Sequence, residues 1–353
     1  MILAAVSSAF ATEPLKWSKL PPIPDALGVA APYAGVSGTS LIVAGGANFP
    51  GGMPWEGGKK VWHDRVWALD KPDGKWREAG KLPRPLGYGV SVTARGGVVC
   101  VGGSDADRHY ADTFLLATEP DGFRIKPLAP LPIPLANMAG ALVGDNVFVA
   151  GGAEVPGEKE ATNRAFMLSL EKNEWKEIAS LPGKARILAT AASDGDRFMV
   201  FGGVALVPAS DGKVVREYLR DAWAYDRKGW SQLPDMPRTV AAAPSPLPRI
   251  SGAFQVLGGD DGSRFGFQPV EKHPGFPGVI LAFKADKWTE LGVVPAPRAT
   301  VPVTFWNGAA TIPSGEVRPG VRSPEVWRLE GAEVVPGNTR STEGRQRVRV
   351  IGR

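Results

Sequence analysis

Val98-Val99-Cys100-Val101-Gly102-Gly103 is an apolar, β-branched run closed by a glycine pair, and the same figure returns along the chain. It stands earlier as Leu41-Ile42-Val43-Ala44-Gly45-Gly46. It stands later as Val147-Phe148-Val149-Ala150-Gly151-Gly152, Phe198-Met199-Val200-Phe201-Gly202-Gly203 and Phe254-Gln255-Val256-Leu257-Gly258-Gly259. A worn sixth copy, Ala309-Ala310-Thr311-Ile312-Pro313-Ser314-Gly315, keeps only its second glycine. The second glycines lie 57, 49, 51, 56 and 56 residues apart, the period of a propeller blade. No helix-forming stretch follows any pair, so these are not phosphate-cradling loops. Their role is architectural: they supply backbone freedom and allow close approach near a crowded axis.

Each pair is followed by a second strand, Arg65–Asp70, Asp112–Ala117, Arg164–Leu170, Asp221–Asp226, Val279–Lys284 and Pro324–Leu329. An outer strand with an aromatic residue then leads to a Pro-rich corner (Trp76, Phe123, Trp175, Trp230, Trp288). The sixth pair has no outer strand after it, whereas Trp17 in Lys16-Trp17-Ser18-Lys19-Leu20 has no pair before it. The count closes if the strand of Trp17 joins the sheet of Trp327. The expected fold is therefore all-β: a six-bladed, kelch-type β-propeller whose last blade is closed by the N-terminal strand. Such closure removes most free sheet edges. The expected organisation is a truncated signal peptide over 1–11, the propeller over 12–337 and a basic tail over 338–353.

Composition narrows the function classes. The net charge is +5, which at first points to nucleic acid. Five arginines against Glu343 in residues 338–353 supply +4 of it, so the body is nearly neutral and no nucleic-acid partner is expected. Cys100 is the single cysteine; it excludes an intrachain disulfide and, inside a strand, reads as a buried thiol. Residues 1–11 are apolar and end in Ala9-Phe10-Ala11, a small-x-small pattern, although no positive residue precedes Lys16. The expected location is thus periplasmic or secreted. No other stretch approaches the ~20 apolar residues of a membrane helix, so no membrane partner is expected.

In a blade with strands a to d from axis to rim, the b–c loops and the d–a connections share one face. The d–a connections carry a recurring arginine: Arg84, Arg186, Arg238 and Arg298. Their convergence at the channel mouth would form a carboxylate-sized site, because each guanidinium offers a planar fork of donors. Common use of Pro-Arg at this corner for structure alone is the competing reading. The b–c loops 47–64, 204–220 and 260–278 are long and would cover a site. The sixth, Ser314-Gly315-Glu316-Val317-Arg318-Pro319-Gly320-Val321-Arg322-Ser323, sets a carboxylate and an arginine six residues apart.

Over about Trp17 to Glu330 the chain resembles the N-acetylneuraminate epimerase (sialic-acid mutarotase) family of kelch propellers, and specifically its cyclically permuted branch. The resemblance is carried by Tyr33-Ala34-Gly35-Val36-Ser37, by Leu41 to Phe49, by Arg84-Pro85-Leu86-Gly87-Tyr88-Gly89-Val90-Ser91, and above all by Gly315-Glu316-Val317-Arg318-Pro319-Gly320-Val321-Arg322. It implies that Glu316 accepts a proton and that Arg322 is also required. It places Asn48, Arg84 and Arg186 among substrate contacts, while Arg238 and Arg298 join them on repeat geometry alone. The implied activity interconverts the α and β anomers of sialic acid by acid–base ring opening and closure. The partner would be a small acidic sugar, with no cofactor and no metal. The alternative is a non-catalytic propeller that binds a glycan or a protein. Copper-radical oxidase chemistry is disfavoured because His63, His109 and His273 show no ligand spacing, and a sialidase because no Asp-box repeat is present.

Overall fold

A computed structural model describes residues 15–119, 122–157 and 159–333. The leader-like segment 1–11 and the basic tail 338–353 lie outside them. Six antiparallel sheets of four strands stand around an axis. Blade 1 runs a to d as Tyr33–Ser37, Ser40–Ala44, Arg65–Leu69 and Arg77–Lys81. Blades 2 to 5 repeat this order. Blade 6 consists of Thr304–Trp306, Ala309–Pro313 and Val326–Glu330, with Trp17–Leu20 as its outer strand. That strand pairs antiparallel with the third, Trp17 opposite Leu329 and Leu20 opposite Val326. The N-terminal strand thus fastens the ring as expected. A short strand, Ala332–Glu333, adds to the inner edge of blade 5 beside Arg249–Ile250, which the sequence reading did not anticipate.

The alternation of the strands explains the packing. Successive side chains point to opposite faces, and here both faces of every blade meet a neighbour. The second strands are accordingly buried on both sides, as in Ser40–Ala44 and Gly97–Val101, which are buried throughout. Six apolar clusters result, one at each blade interface. At the rim, the indole N–H groups of Trp76, Trp175, Trp230 and Trp288 donate to the carbonyls of Pro21, Ala129, Ala179 and Pro234 in the preceding blade, at 2.6–2.9 Å.

The glycine pairs join each blade to the next. The N–H of the second member donates to the next blade's incoming connection: Gly46 to Leu86, Gly103 to Leu135, Gly152 to Arg186, Gly203 to Val240, Gly259 to Arg298 and Gly315 to Val29, at 2.7–3.0 Å. The first member lies so close to the same carbonyl that a Cβ on Gly202 would sit 2.3 Å from the oxygen of Val240. Blade 6 has Ser314 there, at φ 68°. Its hydroxyl accepts from the Val29 N–H at 2.7 Å, so the worn copy replaces close contact by a hydrogen bond.

Two residues beyond each of those carbonyls, the chain makes a second ring. Ala31, Tyr88, Asn137, Leu188, Ala242 and Thr300 all have φ between 49° and 64°. Each donates its N–H to the carbonyl of the equivalent residue in the preceding blade, at 2.7–3.0 Å, so six bonds close a circle around the axis. Six non-glycine residues in the left-handed region cost of order 1 kcal/mol each, and the closed circle over-determines them.

Candidate functional site

The b–c loops and d–a connections do share one face, and above the axial circle they enclose a basin of about 420 Å³ to which all six blades contribute. Its floor comes from the circle itself, through Tyr88, Asn137, Leu188, Ala242 and Thr300. Above the floor stands a second set of six equivalent positions, the residue after each glycine pair: Ala47, Ser104, Ala153, Val204, Asp260 and Glu316. Each forms an antiparallel bridge with the connection beside it, Glu316 with Ala299 and Asp260 with Ala241. The propeller therefore offers six equivalent places around the axis, and the chain puts a carboxylate on two adjacent ones.

The decapeptide after the sixth pair folds as a hairpin, Glu316–Arg318 against Val321–Arg322, with Glu316 directly opposite Arg322. A separation of six residues around a tight turn makes them cross-strand partners. The Arg322 Nη1 stands 3.8 Å from Glu316 Oε1, and the two side chains are 4% and 17% exposed. The Gly320 N–H donates to Glu316 Oε1 at 2.6 Å, which holds the carboxylate toward the basin and leaves Oε2 without a partner among the described residues. The Arg322 guanidinium lies over the Phe49 ring, 4.6 Å from its centroid. Its Nε and Nη1 are buried and have no hydrogen-bond partner among the described residues. Buried donors of this kind are costly, and a guanidinium is a fork of donors that can receive an anion.

The loop of blade 1 supports this wall. It contains a small sheet, Ala47–Asn48 with Val61–Trp62, and a 3-10 turn, Pro54–Glu56. Pro54 presses on Gly320, where a Cβ would come within 2.6 Å of its ring. The loop expected over 204–220 is mostly strand: Phe198–Pro208 and Val214–Asp226 continue upward as one long hairpin, which brings Arg216 to the basin.

Four of the expected substrate contacts are corrected by the geometry, for Arg84, Arg186, Arg238 and Arg298 do not line the basin. They turn into the blades. Arg186, 0% exposed at its side chain, sends Nη1 and Nη2 to the two oxygens of Asp221 at 2.6 and 2.8 Å, and Nη1 also to the Gly202 carbonyl. Arg298 binds Glu325 at 3.0 Å and the Ser314 carbonyl at 2.7 Å; burial lowers its pKa to about 10, against the pull of Glu325, so it remains a cation at neutral pH. Arg84 pairs with Asp112 beside the Tyr110 ring. Arg238 donates to the carbonyls of Gly258 and Val279 at 3.3 Å. Each arginine ties the d–a connection to its own blade's third strand or the residue before it. Asn48 is corrected too. It is 2% exposed, and its carboxamide is spent on Gly28, Asp25 and His63.

The other polar walls are not marked by a motif in the sequence. Lys60 lies over both Trp62 and Tyr88, at 5.4 and 4.9 Å from the ring centroids. Asp260 accepts from the Tyr218 hydroxyl at 2.6 Å and from the Gly262 N–H at 3.0 Å. Asp105, His109, Asn137 and Arg216 complete the polar lining. The signal for Asp260 was present, since it follows its glycine pair at the same offset as Glu316. Among the described residues no three His, Cys, Asp or Glu side chains gather as a metal-holding group.

Ring and basin together define a six-bladed β-propeller with a site lined by acidic and basic side chains above its axis. A solved structure of YjhT has this fold, with a TM-score of 0.65 over 89% of this chain and 96% of its own at 16% identity. Residues 4–125 match the model of the N-acetylneuraminate epimerase family, so the resemblance read over about Trp17 to Glu330 is matched in the first third of the chain, and the stretch Gly315 to Arg322 lies outside the matched residues. An N-acetylneuraminate epimerase of Brucella suis is 44% identical over 114 residues, 29% of either chain. One of Yersinia pestis (strain Pestoides F) is 45% identical over 85 residues, 22% of this chain and 21% of its own. The matched stretch thus spans less than a third of the length of these relatives.

Proposed function

We propose that the protein is a sialic-acid mutarotase that interconverts the two anomers of N-acetylneuraminate. The observation that carries this is the pairing of Glu316 with a buried, unsatisfied Arg322 at the wall of the basin. The family match over residues 4–125 supports the sugar class.

Sialic acid is a cyclic 2-keto acid with its carboxylate on the anomeric carbon. In the proposed mechanism the substrate carboxylate meets Arg322 where it lines the basin. Glu316 Oε2 then takes the proton of the anomeric hydroxyl. The C–O bond to the ring oxygen breaks as that oxygen takes a proton from solvent water, and the carbonyl of the open keto acid turns over. Reclosure on its other face reverses the same steps. No redox change and no net proton transfer occur. Arg322 stabilises the carboxylate throughout and the charge that develops in the open form. The fixed bond from Gly320 to Oε1 directs the free oxygen of Glu316 at the substrate, and positioned acid–base catalysis of this kind contributes ~10²–10⁴-fold.

The leader-like segment fits a protein exported to the periplasm, and no helix of the described residues is long and apolar enough to cross a membrane. Proton NMR of freshly dissolved α-N-acetylneuraminate tests the activity. Added protein should shorten the approach to anomeric equilibrium, and Glu316→Ala should abolish the effect. Equilibration at the uncatalysed rate with the unaltered protein, despite binding, would make it a binding module instead.

A further inference from the structure

We infer that His109 is a specificity-determining residue that accepts a hydrogen bond from a hydroxyl at the end of the sugar remote from its carboxylate. The inference rests on the sugar-acid reading above and goes beyond it to the far side of the basin.

His109 stands on a rigid mount. The b–c loop of blade 2 is short, and Ser104 and His109 face each other across it in an antiparallel bridge. The turn between them is held by the Asp105 carboxylate, which accepts from the N–H groups of Asp107 and Arg108 at 2.9 and 3.0 Å, and by the Asp105 N–H, which donates to the Arg108 carbonyl. From this mount the ring crosses to blade 3 and places Nδ1 2.8 Å from the carbonyl oxygen of Ala153. A carbonyl only accepts, so Nδ1 carries the hydrogen and Nε2 of the neutral ring is a lone-pair acceptor. Burial lowers the pKa of His109 below its ordinary 6.5, outweighing the opposite pull of the Ala153 bond and of Asp105, which keeps the ring neutral at neutral pH. Nε2 has no partner among the described residues, and His109 lines the basin.

Its place in the ring gives this acceptor a purpose. Ala153 belongs to blade 3, three blades from blade 6 in a ring of six, so the His109–Ala153 bond lies across the axis from Glu316 and Arg322. A sugar acid seated with its carboxylate on Arg322 extends its other end toward blades 2 and 3. In sialic acid that end is a chain of three hydroxyl-bearing carbons. A neutral acceptor with a fixed tautomer suits a hydroxyl donor there, and a second carboxylate would be refused. Since His109 touches neither the anomeric carbon nor the ring oxygen, its effect belongs in binding and not in the chemical step.

The test compares N-acetylneuraminate with its seven-carbon analogue, shortened by periodate so that the outer hydroxyls are lost. With His109→Ala the KM for the full sugar should rise ~3–10-fold, the worth of one neutral hydrogen bond, with kcat within twofold. The shortened sugar should be handled alike by both proteins. Unchanged KM for the full sugar, or an equal loss on both sugars, would overturn the inference. If the unaltered protein does not catalyse anomer exchange at all, the same comparison is read by calorimetric titration with the non-exchanging methyl glycosides. There a preference for the full over the shortened sugar that vanishes in His109→Ala upholds the role of His109, even though the mutarotase reading fails. Absence of any such preference removes it.

Discussion

Replacing Arg186 by alanine should unfold the ring locally without touching its chemistry. The guanidinium makes two bonds to Asp221, one to the Gly202 carbonyl and one to the Lys184 carbonyl, from a side chain with no exposure. Its removal leaves the Asp221 carboxylate, 25% exposed, with only the Trp223 indole N–H as a side-chain donor. Removing one partner of such a buried pair costs about 3–5 kcal/mol, because the remaining charge is stranded. At roughly 2 °C per kcal/mol for a chain of this size, Tm should fall by about 6–10 °C, which differential scanning fluorimetry resolves. The pH dependence identifies the cause. Burial alone raises the pKa of Asp221, but the bonds from Arg186 and Trp223 outweigh it and hold the carboxyl below 3.8. That stabilisation is present above the unfolded value of about 3.9 and is lost as pH falls through the lower folded value. In the variant burial prevails, the folded pKa rises, and protonation relieves the stranded charge. The gap in Tm between the two proteins should therefore narrow as the pH is lowered through about 4. A loss below 1 °C at pH 7, or a gap that stays constant with acid, would refute the clamp.

Three further outcomes follow from the ring. Ser314→Ala strands the buried Val29 N–H, which donates to its hydroxyl at 2.7 Å, and should cost about 1–3 kcal/mol in a urea titration. Deletion of residues 1–20 removes the outer strand of blade 6 and exposes the edge of Val326–Glu330; size-exclusion chromatography should show self-association in place of a single species. The Cys100 thiol is buried and burial raises its pKa well above 9.0, so a thiol reagent at pH 8 should react only after denaturant is added.

Much of the architecture was legible because the repeat is a physical necessity of the ring. Each glycine pair marks a point where the next blade's chain passes within van der Waals contact, so the five pairs and the worn copy Ser314-Gly315 enumerate the six blades. The unpaired strand at Trp17 likewise had one place to go. The pairing of Glu316 with Arg322 was legible as well, because six residues around a Pro-Gly turn become opposite positions on a hairpin. The arginines were misread because a corner motif does not state which way its side chain turns. The deciding signal lay elsewhere: an acid two residues before the aromatic of the third strand, in Asp112-Thr113-Phe114, Asp221-Ala222-Trp223 and Glu325-Val326-Trp327. Blades 1 and 3 lack the connecting arginine and have Arg65 and Arg164 at that acid's position, which marks the site as an internal ion pair and not a ligand contact. His109 and Asn137 escaped notice because their place in the basin depends on which blades neighbour each other in space.

Two-dimensional exchange NMR at anomeric equilibrium, run side by side with the unaltered protein, Glu316→Gln, Arg322→Ala and Arg186→Met at a temperature where all four are folded, bears most directly on the proposed chemistry. Exchange cross-peaks between the anomers are expected with the unaltered protein and with Arg186→Met, and should vanish with Glu316→Gln and Arg322→Ala. Persistent cross-peaks with Glu316→Gln, or their loss with Arg186→Met as complete as with the two basin variants, would contradict it.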